Sequence, residues 1–138
     1  MSADYNMISF NSNFITYLTQ IMLLNNKERL VNFELLSDFT ANNPVFEKQL
    51  ISALLSDLEL FKIAVSPQPD EEKFLNFRKA CHNIYPSLNM LQINQLIEAI
   101  EEYKTAYSDK HDSVPFFAEK IHRILDRVLL EANHWLAS

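Results

Sequence analysis

The sequence predicts an all-α protein: an antiparallel four-helix bundle with short additional helices on its N-terminal side. Three observations predict it. Apolar residues recur three and four apart along most of the chain, the period that keeps one helical face on a core. The interruptions are short, and they are polar or carry proline, which suits neighbours that run back along one another. The 138 residues include no glycine, although tight β-hairpins need φ > 0 and glycine supplies it at least cost.

Ser12 or Asn13 can cap a first short helix reaching about Leu24, with Phe14, Ile15, Leu18, Ile21 and Met22 as its stripe. Asn25-Asn26 ends it. A second short helix is predicted from about Glu28 to Phe39, closed by Thr40-Ala41-Asn42-Asn43. Pro44 stands where a first-turn proline is tolerated and opens a long helix to about Val65. Phe46, Leu50, Ile51, Leu54, Leu55, Leu58, Phe61 and Val65 form its wide stripe. Ser66-Pro67-Gln68-Pro69 is a stiff turn, because each proline drives its predecessor out of the α region. Asp70 caps the next helix, with Glu71 and Glu72 in the first turn where the dipole favours anions. That helix runs to about Leu91 and the following one from about Ile93 to Tyr107. The polar run 108–113 is a loop, and Ser113 caps a last helix from about Val114 to Trp135. Residues 1–27 then form an extension with a short helix, and residues 28–138 form the bundle domain.

The formal charge of −6 speaks against a nucleic-acid surface, which needs a basic stripe, and against an anionic membrane. No apolar run is long enough to span a bilayer, and the N-terminal residues lack the pattern of a signal peptide. Glycine-rich phosphate loops are excluded by composition. The single cysteine, Cys81, allows no intrachain disulfide and no cysteine-built zinc site; one reduced thiol suits the cytoplasm. No metal site and no cofactor are expected.

The stretch RKACHNIYPSLNML, residues 78–91, carries the candidate chemistry. At 100° per residue, Phe74, Phe77, Cys81, Ile84, Leu88 and Leu91 share one band. His82 falls roughly 130° from the centre of that band and so faces solvent. Arg78, Lys79, Tyr85 and Pro86 lie three or four residues from it on the same side, with Leu75 and Asn89 beyond them. Two cations one turn ahead of an exposed imidazole favour an anionic group attached to it. Pro86 removes the amide that would bond the carbonyl of residue 82, so a kink or loosening is expected there.

From about residue 30 to 136 the chain resembles the histidine-containing phosphotransfer (HPt) domains of two-component phosphorelays. A Leu-rich short helix and a loop before a proline, FELLSDFTANNP (33–44), precede a long amphipathic helix. Asp70 opens the helix that carries the histidine, and Arg78-Lys79-Ala80-Cys81-His82 is similar to the family's basic-basic-small-small-His run. The apolar pattern of Leu88, Leu91, Leu96 and Ile100 is similar to the family's following helix pair. The family motif is His-x-x-Lys-Gly; here Tyr85 stands for the lysine and Pro86 for the glycine, and Gln92 sits near the place of a later glycine.

The resemblance implies that His82 accepts a phosphoryl group, making the protein a covalent carrier rather than a pocket enzyme. Arg78 and Lys79 would supply charge to that group and Tyr85 a hydroxyl donor. Leu75, Pro86 and Asn89 would dock the partner. That partner would be the receiver domain of a response regulator, which brings its own Mg²⁺, with a sensor histidine kinase upstream. A monomer is expected. Two other classes fit the same residues: a degenerate HPt-like binding module without phosphotransfer, and a helical scaffold that dimerises through its N-terminal helix. His111 in a polar loop, His122 four residues from Asp126, and His134 in a last helical turn read as surface histidines.

Overall fold

In the computed structural model, residues 29–138 are described, and all their regular structure is helical. The helices are α1 (Glu34–Thr40), α2 (Pro44–Ala64), α3 (Glu71–Met90), α4 (Asn94–Ser108) and α5 (Val114–Ala137). The helix expected near residues 12–24, and the extension it belongs to, lie outside the described residues. None of the described helices is long and apolar enough to cross a membrane.

The four long helices follow the sequence pattern closely, and two of them begin at side-chain caps written in the local sequence. Pro44 occupies the first turn of α2, and the Asn43 side chain accepts a hydrogen bond from the Phe46 amide at 3.1 Å. Asp70 Oδ1 accepts from the Lys73 amide at 2.8 Å, capping α3 as expected. Ser113 does not cap α5 with its side chain; its hydroxyl lies 3.1 Å from His111 Nδ1 instead.

The first helix starts later than its pattern predicts, at Glu34 rather than near Glu28. The reason is distant in sequence. The amides of Leu30 and Val31 donate to the Glu131 carboxylate of α5 at 2.9–3.0 Å, and the Asn32 amide donates to the Leu91 carbonyl at 3.1 Å. With their amides committed to those acceptors, residues 30–32 form a non-helical tether rather than a helical turn. Leu30 and Val31 are buried beneath it, and Phe33 stacks on Trp135 with ring centroids 5.6 Å apart.

Absent glycine does not mean absent left-handed backbone. Ala41, Asn42, Gln92 and Lys110 have φ of 53°, 63°, 53° and 52°. Such a residue costs about 1–2 kcal/mol when it carries a Cβ. Each stop is partly offset by a backbone bond that closes the helix end. Asn42 N reaches Ser37 O, Ile93 N reaches Leu88 O, and His111 N reaches Ala106 O, all at 2.9 Å.

The long helices pack in a ring: α2 on α3, α3 on α4, α4 on α5 and α5 on α2, with α1 laid on α2. Pairs across neighbours mirror about the turns. Phe61 meets Phe77, Tyr85 meets Glu101, and Lys120 Nζ meets Glu102 Oε1 at 2.8 Å. The enclosed core holds Leu58, Phe61, Phe77, Ile84, Leu88, Leu96, Ile100, Tyr103, Ile121 and Leu125, all essentially without solvent contact. Burying one such side chain contributes about 1.5–3 kcal/mol. Tyr103 keeps its polar end satisfied by donating its hydroxyl to the Ser66 carbonyl at 2.6 Å.

Candidate functional site

Helix α3 presents two opposite faces. Phe77, Cys81, Ile84 and Leu88 are buried, while Phe74 is half-buried and stacks on Tyr107 at 3.8 Å. On the other side Leu75, Arg78, Lys79, His82, Pro86 and Asn89 are exposed, as the helical geometry predicts. The core band therefore fixes the rotation of α3, and that rotation sets His82 on the surface.

A shallow open hollow joins part of this face to α4. Leu75, Arg78, Lys79, His82 and Tyr85 line it together with Lys104. Pro86 and Asn89 do not line it; they continue the exposed face toward the end of α3. Leu75 is 49% exposed, an apolar side chain at the rim of a cationic surface. Helix α3 runs unbroken through Pro86 to Met90. The expected loosening is thus no interruption of the helix, although proline has no amide to give the His82 carbonyl.

Tyr85 is half-buried, and its hydroxyl donates to Glu101 Oε2. Lys104 Nζ donates to the same oxygen at 3.2 Å and lies 5.0 Å from the centre of the Tyr85 ring. These three side chains form one cluster across α3 and α4. The Tyr85 hydroxyl, with burial opposing it and Lys104 adding to it, holds the Glu101 carboxyl below its ordinary range. Burial, and then the bond to Glu101, push the Tyr85 phenol upward, so it remains a neutral donor.

Sequence reasoning missed Glu101 and Lys104. A signal was present: they lie three apart on one predicted helix, and Tyr85 mirrors Glu101 about the short turn near Gln92. The signal depends on knowing that α3 and α4 pack side by side.

Beneath the hollow, the Cys81 thiol is buried and pushed up to about 12, chiefly by burial. Lys104 and Arg78 act in the opposite direction. At pH 8, native Cys81 should react with iodoacetamide about a thousandfold more slowly than the same thiol in urea, because the thiolate is the nucleophile. Equal rates in the two states would contradict this burial.

Two of the remaining histidines have hydrogen-bond partners. His122 does not pair with Asp126. Its Nε2 lies 3.2 Å from the Lys62 carbonyl near the end of α2, while Asp126 takes the Lys62 ammonium at 2.9 Å. His111 faces Ser113, and His134 sits in the last turn of α5. Among the described residues, no group of three or more His, Cys, Asp or Glu side chains could hold a metal ion.

Comparison with protein-family models, with curated proteins and with solved structures finds no match to this chain.

Proposed function

We propose that the protein is a histidine phosphotransfer carrier, an HPt-like antiparallel four-helix bundle that relays a phosphoryl group to or from a receiver-domain aspartate in the cytoplasm. The observation that carries the reading is the place of His82: exposed on the second long helix, in a hollow bordered by Arg78, Lys79 and Lys104. The ring of packed helices and the mirrored pairs support the bundle.

In the transfer, the unprotonated ring nitrogen of neutral His82 attacks the phosphorus of an aspartyl phosphate. A nitrogen–phosphorus bond forms and the phosphorus–oxygen bond to the aspartate breaks, releasing the carboxylate. The other ring nitrogen keeps its proton, and the return step reverses these bonds. Such a transition state is loose, so alignment and charge neutralisation govern the rate. This chain contributes the nucleophile, the cations and a surface to dock on. The Mg²⁺ belongs to the receiver.

Incubation with acetyl phosphate or a phosphorylated receiver should give phosphate that is acid-labile and base-stable, and His82→Gln should abolish it. Unlabelled wild type, or equal labelling of His82→Gln, would refute the carrier role. One observation favours a second reading, an HPt-like module that binds a receiver without carrying phosphate: the Tyr85 hydroxyl is already committed to Glu101. On that reading receiver binding survives His82→Ala and no phosphohistidine forms in wild type.

A further inference from the structure

With His82 as the phosphoryl acceptor, the cations of its own helix, Arg78 and Lys79, both lie one turn before it. The position one turn after it carries Tyr85, which supplies no positive charge. We propose that Lys104 is a further phosphoryl-binding cation of this site, delivered from α4 to the side of His82 that Arg78 and Lys79 do not cover, and held ready by Tyr85 and Glu101. The inference rests on the carrier reading of His82 and adds a residue from a different helix to it.

Three features point to Lys104. It lines the same hollow as His82, Arg78 and Lys79. Its ammonium lies 5.0 Å from the Tyr85 ring centre, which places it over the residue that occupies the position one turn beyond His82. A ring there attracts a cation through its face, so Tyr85 orients a charge it does not itself carry. Finally, the partner of Lys104 is easily exchanged. The Lys104–Glu101 contact is 3.2 Å long, and the Glu101 side chain is 55% exposed. The Lys104 side chain is 29% exposed, so the pair is partly open to solvent, which weakens it, whereas an ammonium bonded to a phosphoryl oxygen makes a strong charge-assisted bond.

The cluster works as an exchange of partners. Without phosphate, Glu101 accepts from both Tyr85 and Lys104. When a doubly negative phosphoryl group arrives on His82, the flexible lysine stem lets the ammonium turn from Glu101 to the phosphoryl oxygens. The Tyr85 hydroxyl stays on Glu101, so that carboxylate keeps a donor and is held back from the incoming charge. No bond is made or broken in this movement beyond hydrogen bonds and one ion pair.

The test combines phosphohistidine formation from phosphoramidate, the lifetime of the product, and a titration with inorganic phosphate followed by the His82 imidazole NMR signals. Lys104→Gln should slow labelling about tenfold, shorten the product lifetime and weaken the phosphate-induced shifts by a similar factor. Lys104→Arg should restore most of each effect, and Glu101→Gln should raise phosphate affinity by freeing the ammonium. If wild type labels and Lys104→Gln labels equally fast with an equally stable product, the role of Lys104 is overturned while His82 stands. If wild type does not label but phosphate shifts His82 in a Lys104-dependent way, the anion-binding role of Lys104 holds and the carrier reading falls. No labelling together with no Lys104-dependent phosphate effect overturns both.

Discussion

Phe77→Ala should cost about 3–5 kcal/mol of folding stability, the range seen when a large aromatic is removed from a packed core. Phe77 has no solvent exposure, and its ring centre lies 4.6 Å from Tyr103, 5.5 Å from Phe61 and 5.7 Å from Phe74. The substitution removes ring contacts to α2, α3 and α4 at once. Phe77→Leu should cost distinctly less. Urea unfolding measures both, with the midpoint falling and the slope unchanged. A loss below about 1 kcal/mol for the alanine variant would mean that the aromatic cluster is not packed as described. The same residue belongs to the band that sets the rotation of α3 and with it the exposed place of His82.

Glu131→Ala should cost about 2–4 kcal/mol, for a different reason. Glu131 is 5% exposed, and its carboxylate accepts from the amides of Leu30 and Val31 at 2.9–3.0 Å. Truncation leaves two buried amides without an acceptor, each costing about 1–3 kcal/mol. Glu131→Gln retains one acceptor oxygen and should fall between the alanine variant and wild type. Hydrogen exchange gives the sharper readout, because protection of the Leu30 and Val31 amides should drop well before that of α3. Unchanged protection at those two amides would show that the carboxylate is not what holds them.

The long helices were legible because their signals are local. Pro44, Asp70 and the spacing of Phe77, Cys81, Ile84 and Leu88 place ends and faces without reference to the rest of the chain. The exposed position of His82 followed from the same spacing. The start of α1 was not legible, because the amides of Leu30 and Val31, just after the expected start near Glu28, bond a carboxylate 100–101 positions away. The Tyr85–Glu101–Lys104 cluster was hidden for a related reason, since it exists only once α3 and α4 are side by side. His122 read as the neighbour of Asp126 along one helix, yet both side chains find partners on α2.

The Glu131 contact also bears on the order of folding. Most bonds in a helical protein join residues a few places apart and form early, whereas this one closes a loop of about a hundred residues. The entropy of that closure must be met before the bonds give anything back. The tether therefore settles after the helices have packed, and variants of Glu131 should mainly accelerate unfolding and leave the refolding rate nearly unchanged. The edge that joins residues 30–31 to the last helix should be the last part to form and the first to open.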